Sequence, residues 1–291
     1  MPGPAQRRPR QRVGLPPGYG IPGSTPFPDP PGPGVSALEG TLGDAPAAIS
    51  RGDRALWRRP SAGICQAARR SLMSTISDED TMAEQRPFEP GRFWDEMFDR
   101  PDYRYGESAN PFVIEAVEAR LEPGAAVLCV GDGEGRNGVG LARAGYRVTS
   151  LEPSAVGLAK TRQLAAKYQV EVETIQGVMP SDVLGEREFD AVVLAYVHVP
   201  PAMRPELHRA CVQHLAPGGR IVLEGFTPRQ RELGRTSGGP GDVAMLFEPE
   251  TLREDFEGLT LELLQEEQVE LAAGDGHRGV AQVVRLIARR V

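Results

Sequence analysis

The sequence predicts an α/β protein built on a doubly wound, mostly parallel sheet of seven strands that ends in an antiparallel hairpin. Three observations lead there. Between residues 126 and 225, short apolar runs alternate with helical stretches, which is the rhythm of βαβ units. The run Val127-Leu128-Cys129-Val130 breaks into Gly131-Asp132-Gly133-Glu134-Gly135, as a buried strand does when it turns sharply into a helix. The last two apolar runs, 259–271 and 280–288, are linked only by Ala273-Gly274-Asp275-Gly276-His277-Arg278-Gly279. A parallel crossover needs about a dozen residues or more, so these two strands must be antiparallel neighbours.

Two unlike parts divide the chain at about residue 85. Pro-Gly-Pro and Pro-Pro-Gly runs recur before residue 35, with Arg7, Arg8, Arg10 and Arg12 among them and no apolar period. Residues 1–85 are therefore expected to be a disordered Pro/Gly/Arg-rich segment, and 86–291 the folded domain. The segment reads either as a targeting or nucleic-acid-binding arm, or as an upstream stretch translated from a misplaced start codon. Met73 and Met82 both sit where the composition turns ordinary.

In the folded part, Phe93, Trp94, Met97 and Phe98 make an aromatic turn of helix. Asn110-Pro111 supplies an N-cap and a favoured first residue, so a helix should run over 111–121 until Pro123-Gly124. A strand over 126–130 leads to a short helix over 138–144 that Gly145 stops. A strand over 147–151, a helix over 155–168 and a strand over 172–176 follow. Residues 189–196 are nearly all apolar, as in a strand covered on both faces. A helix over 205–215 ends at Pro217-Gly218-Gly219, and 220–225 is another buried strand. After the polar loop 234–242 comes a helix near 249–256, then the hairpin.

Composition narrows the function. The chain has 291 residues, 40% of them hydrophobic, and no apolar run long enough to cross a bilayer. A net charge of −7 disfavours general nucleic-acid binding. Cys65, Cys129 and Cys211 are odd in number and far apart, which favours a reducing cytoplasm over a disulfide framework. No two of His198, His208, His214 and His277 have metal-ligand spacing, and no Ser-His-Asp arrangement is visible, so no metal is expected.

The glycine turn carries the chemistry. About one strand later, Val148-Thr149-Ser150-Leu151-Glu152 ends on a carboxylate. A glycine loop with an acid about 20 residues on is a layout for gripping an adenosine and its ribose. Gly133-x-Gly135-x-x-Gly138 satisfies the dinucleotide pattern, but the glycine that directly follows the strand is Gly131. Counted from Gly131, the third slot is Arg136, whose bulk would block close packing on a pyrophosphate. Gly131-x-Gly133-x-Gly135 fits better against a ligand without one.

These residues resemble the class I S-adenosylmethionine-dependent methyltransferases, over about residues 88–291. The likeness rests on the loop 131–135, on Glu152, and on Leu215-Ala216-Pro217-Gly218-Gly219. Phe93-Trp94-Asp95, Tyr105-Gly106, Asn110-Pro111-Phe112, Gly133-Glu134-Gly135-Arg136-Asn137 and Glu224-Gly225-Phe226-Thr227-Pro228 narrow it to the small-molecule branch with tellurite-resistance and thiopurine-type enzymes. The resemblance implies a Rossmann-like seven-stranded sheet and S-adenosylmethionine as methyl donor, leaving S-adenosylhomocysteine. It also carries Pro153, Gly177, Val178, Ala195 and Tyr196 to the cofactor. Two positions depart from the family. Cys129 stands where an acid is usual, so Asp132 or a water takes the charge role; after the third strand, Gln176-Gly177-Val178 offers no carboxylate for adenine.

Each candidate residue has a plain alternative. Glu152 chelates ribose hydroxyls or is a solvated loop acid. Arg136 and Asn137 hold the cofactor carboxylate at a helix N-terminus, or Asn137 merely caps it. Tyr105 closes over the site or packs. His198, between an apolar strand and Pro200-Pro201, is a base or a loop bracket. The expected activity is methyl transfer to a small-molecule nucleophile, with a soft S, Se or Te atom needing little or no base, and with 227–245 as a lid. Alternatives are a natural-product O- or N-methyltransferase, an NAD(P)-dependent oxidoreductase, and a non-catalytic S-adenosylmethionine sensor. The expected partners are a small methyl acceptor, no nucleic acid and no membrane, for a cytoplasmic monomer or homodimer.

Overall fold

The computed structural model describes residues 89–291. The segment expected to be disordered over 1–85, with Met73 and Met82, lies outside the described residues. Two helices, α1 (Pro90–Phe98) and α2 (Pro111–Glu118), precede the sheet. In α2 the Asn110 side chain accepts from Phe112 N, so the Asn-Pro pair starts the helix as its chemistry dictates.

Five parallel strands follow: β1 (Ala126–Val130), β2 (Arg147–Glu152), β3 (Val172–Gln176), β4 (Phe189–Ala195) and β5 (Leu215–Phe226). Helices α3 (Arg136–Arg143), α4 (Ala155–Tyr168) and α5 (Arg204–Gln213) connect them. After α6 (Arg229–Glu232) and α7 (Pro249–Asp255) come β6 (Thr260–Ala273) and β7 (His277–Arg289). The spatial order is β3-β2-β1-β4-β5-β7-β6, with β7 antiparallel to both its neighbours. The chain winds outward from β1 to β3, then returns to β4. The crevice beyond the carboxyl ends of β1 and β4 is where such a sheet binds ligands.

Strand alternation divides the core into two layers. Val127 and Cys129 of β1 face α2 and α3 with Phe112, Val113 and Leu141, whereas Leu128 and Val130 face the layer of Leu207, Cys211, Leu252 and Phe256. Burial of each such side chain stabilises the fold by ~1.5–3 kcal/mol.

Where element boundaries differ from expectation, tertiary contacts are the reason. Helix α3 starts at Arg136 rather than 138, because Gly135 takes φ 87° and turns the chain straight into it. Leu215 belongs to β5 rather than α5: Phe189 N donates to His214 O, and Leu215 pairs with Phe189. The hairpin ladder runs on to Ala273 and His277, so only Gly274-Asp275-Gly276 turns.

The polar loop 227–245 is tied down, not free. Arg231 donates to the carbonyls of Arg235, Gly238, Gly239 and Pro240. Gln230, fully buried, donates to Ser237 Oγ and accepts from Gln282 N at 2.8 Å. Gln230→Ala strands the buried Gln282 N–H. It should lower unfolding free energy by about 1–3 kcal/mol in urea titrations; an unchanged midpoint would refute this role.

Candidate active site

The loop between β1 and α3 needs its glycines for two different reasons. Gly131, Gly133 and Gly135 all have positive φ, at 59°, 61° and 87°. At Gly135 a Cβ would also lie 2.5–2.7 Å from the Thr161 side chain, so this glycine seats the loop on α4. At Gly133 the nearest neighbour is the Phe98 ring, at 3.2 Å from such a Cβ.

Glu152 closes the loop from below. Its carboxylate is buried and accepts from Gly133 N at 2.8 Å and from Ser154 N at 2.9 Å. Burial pushes its pKa up to about 7, against those two hydrogen bonds. The solvated loop acid among the expectations is thereby corrected: apolar neighbours on β2 carry this carboxylate inside.

Asp132 is drawn to α3. Oδ1 accepts from Gly138 N at 3.2 Å, and a Cβ on Gly138 would lie 2.4 Å from Oδ2. Gly138 is thus required by Asp132. Burial pushes this carboxyl up to about 7 as well, against hydrogen bonding from Gly138 N and Ser150. Arg136 is 8% exposed and makes no hydrogen bond or ion pair among the described residues. Burial lowers its pKa, while Tyr196 and Glu224 oppose that shift. Asn137 neither caps α3, whose N-cap is Gly135, nor faces outward: its Oδ1 accepts from Asn110 N.

That contact leads to a second centre, which the sequence reading missed. Glu224 on β5 is 1% exposed. One carboxylate oxygen accepts from Asn110 Nδ2 at 2.7 Å and from the Tyr196 hydroxyl; the other takes Arg285 Nε at 2.6 Å. Tyr196 directly follows β4 at φ 62°, and its N donates to Glu224 O at 2.7 Å. A tyrosine held in the left-handed region is strain kept by its surroundings, here by the main-chain carbonyl and the carboxylate of one residue, Glu224. Its own pKa is raised by burial and by Glu224.

The segment between α1 and α2 straps across the loop. Asp95 accepts from Ser154 Oγ and Val156 N, which docks α1 on the start of α4. Glu134 binds Lys160 Nζ at 2.8 Å, and that ammonium also donates to Asp102 O. Lys160 is one of only two lysines in the chain, a signal available in the sequence. The strap crosses the β6–β7 turn almost without side chains. Gly276 N donates to Arg104 O, a Cβ on Gly274 would lie 2.3 Å from that oxygen, and one on Gly276 would strike the Tyr105 ring at 2.3 Å. Tyr105 faces His277, ring to ring at 4.5 Å.

His198 is not placed to act as a base. Nδ1 donates to Met245 O at 2.9 Å, and Nε2 accepts from Phe226 N at 3.1 Å, so both ring nitrogens are committed. The ring stacks on Phe247, and burial pulls its pKa down to about 4. At the far end of the cleft, Gln176 Nε2 donates to Pro153 O and Gly177 N to Glu152 O, while Val178 is exposed. Ala195 is half-buried at the end of β4, next to Tyr196. Among the described residues no group of three or more His, Cys, Asp or Glu could hold a metal ion, and no helix is long and apolar enough to cross a membrane.

The Asp132 carboxyl has a folded pKa of about 7, above the unfolded 3.8. Its neutral form contributes stability that is fully present below the unfolded value and lost as pH rises through the folded one. Asp132→Asn should therefore gain stability relative to the parent protein between these two values. Urea titrations across pH read this directly; a pH-independent difference would sink it.

Residues 127–219 match a family model described as a methyltransferase domain. A curated relative, the ubiquinone biosynthesis O-methyltransferase of Xanthomonas campestris pv. campestris (strain B100), is 36% identical over 121 residues, covering 39% of this chain and 48% of the relative. The chain thus spans about half the length of the curated relatives it matches. Among solved structures, one described as "Conversion of a Disulfide Bond into a Thioacetal Group during Echinomycin Biosynthesis" superposes with a TM-score of 0.57 at 18% identity, covering 69% of this chain and 91% of its own. TehB from Haemophilus influenzae gives 0.51 at 18%, covering 69% and 67%. Magnesium protoporphyrin IX methyltransferase from Synechocystis PCC 6803, with bound S-adenosylmethionine, gives 0.51 at 17%, covering 69% and 95%. At these identities the structures show a shared fold. Residues 127–219, which hold the glycine loop and Glu152, are what matches a methyltransferase domain.

Proposed function

We propose that the protein transfers the sulfonium methyl group of S-adenosylmethionine to a small-molecule nucleophile. One observation carries the reading: the left-handed glycine loop at the end of β1 and the buried carboxylate at the end of β2 are joined through Gly133 N. The residues present fit the donor. Each oxygen of Glu152 holds one backbone N–H, which leaves lone pairs for the ribose hydroxyls. Arg136, buried and unpaired, suits the donor's carboxylate, helped by the N-terminus of α3. Gly131 and Gly133 allow close approach. Pro153, Gly177 and Val178 stand on the adenine side, and Ala195 and Tyr196 on the methyl side. Asp132 and Asn137 support the site through α3 and Asn110.

When bound, S-adenosylmethionine supplies a methyl carbon already activated by its sulfonium. The acceptor's lone pair takes that carbon while the carbon–sulfur bond breaks with its electrons to sulfur, leaving S-adenosylhomocysteine. The chain's task is alignment and exclusion of water: Glu152 and Arg136 fix the donor at two ends, and α1, Tyr105 and the strap cover it. Since His198 is committed to the main chain, the acceptor is best read as a soft S, Se or Te atom, which attacks without a base. The second reading is a natural-product O- or N-methyltransferase, favoured by the name of one matched relative, a ubiquinone biosynthesis O-methyltransferase. An oxidoreductase using NAD(P) is disfavoured by Arg136, which opens α3 in the slot where a pyrophosphate needs glycine.

Calorimetry should show S-adenosylhomocysteine binding, with no heat from NAD; the reverse pattern would overturn the reading. Glu152→Ala should weaken S-adenosylhomocysteine about tenfold or more, since two hydrogen bonds to a charged group are lost. Transfer of labelled methyl to a panel of thiols, selenite, tellurite and phenols would separate the soft acceptor from the oxygen one.

A further inference from the structure

Around the β6–β7 turn the carboxylates of Glu224, Glu134 and Asp275 are engaged, but two buried nitrogens are not. Glu224 holds Asn110, Tyr196 and Arg285; Glu134 holds Lys160; Asp275 holds Arg100. In contrast, Arg104 Nε and His277 Nδ1 are buried without a partner. Arg104 makes no ion pair among the described residues, and His277 is only 5% exposed. Leaving donors unsatisfied in the interior costs free energy, and native proteins keep such atoms for a reason.

The frame around them is aromatic. The Arg104 guanidinium lies 5.7 Å from the Tyr105 ring centroid. The His277 ring is 4.5 Å from Tyr105, 4.3 Å from Tyr196 and 5.4 Å from Phe226. Tyr196 directly follows β4, so this frame adjoins the place assigned to the methyl group. Donors without acceptors, between flat apolar walls, suit a small planar molecule that carries negative charge.

We propose that the methyl acceptor carries a carboxylate or comparable oxyanion, which Arg104 and His277 receive within the Tyr105–Tyr196 aromatic frame. This rests on the methyl-transfer reading, with Arg136 reserved for the donor's own carboxylate. Burial and the nearby guanidiniums hold the imidazole neutral, its pKa pulled down to about 3. It therefore gives the anion one N–H, and the charge comes from Arg104. An uncharged acceptor would leave both donors orphaned, so the site discriminates by the penalty of an unpaired group.

The test uses phenylacetate and its uncharged counterpart phenylacetamide as probes, titrated into the full chain with and without S-adenosylhomocysteine. Phenylacetate should bind about tenfold more tightly or better, as expected for one charge-assisted contact. Arg104→Gln should abolish that preference and leave S-adenosylhomocysteine affinity within about twofold; Arg104→Lys should restore part of it. Equal binding of acid and amide to the unaltered protein would overturn the proposal without recourse to any variant. So would an Arg104→Gln protein that still prefers the acid, or one that loses S-adenosylhomocysteine and phenylacetate in parallel. Failure of the unaltered protein to bind S-adenosylhomocysteine would instead strike the methyl-transfer reading, which keeps the two ideas separable.

Discussion

The contact on which the rest depends is the carboxylate of Glu152 against the backbone of the glycine loop. A loop of left-handed glycines loses more freedom on folding than any other chain of its length, so it needs an external tie. Glu152 supplies it by accepting from Gly133 N and Ser154 N, one in each of the loops that follow β1 and β2. The two connections out of β1 and β2 are thereby fixed to each other, with Gly135 pressed on Thr161 of α4 as the third point. Arg136 then enters α3 in a defined direction.

The second tie, Glu224, does for the other half of the crevice what Glu152 does for the first. It joins α2, β4, β5 and β7 through Asn110, Tyr196 and Arg285. A buried carboxylate with one cation and two neutral donors is a specifying device more than a stabilising one, because desolvation offsets much of the attraction. It fixes the backbone of Tyr196 in a conformation that side chain would not choose alone.

Much of this was legible in the sequence. The bounds of β1, β3 and α4 followed from apolar and helical runs, which are local signals. The order of elements and the antiparallel finish followed from loop lengths. What escaped was decided at long range. His198 read as a base or a loop bracket, and the partners that decide between them, Met245 and Phe226, lie 47 and 28 residues away. Glu224 was readable in retrospect: a carboxylate directly after the apolar run Ile221-Val222-Leu223 needs a partner, and Arg285 interrupts the apolar run of β7, in register with it.

The crossing of the strap over the β6–β7 turn has a consequence for how this protein can change by mutation. The two contacts there differ in kind. A side chain at Gly276 would meet the Tyr105 ring, so a smaller residue at 105 could make room for it. A side chain at Gly274 would meet the carbonyl of Arg104, which every residue carries, so no substitution opposite can relieve the clash. Position 276 is thus conditionally variable, open once 105 has shrunk, whereas 274 is closed along every single-step path. The route by which the acceptor end of the crevice can drift to new substrates therefore runs through Tyr105 first.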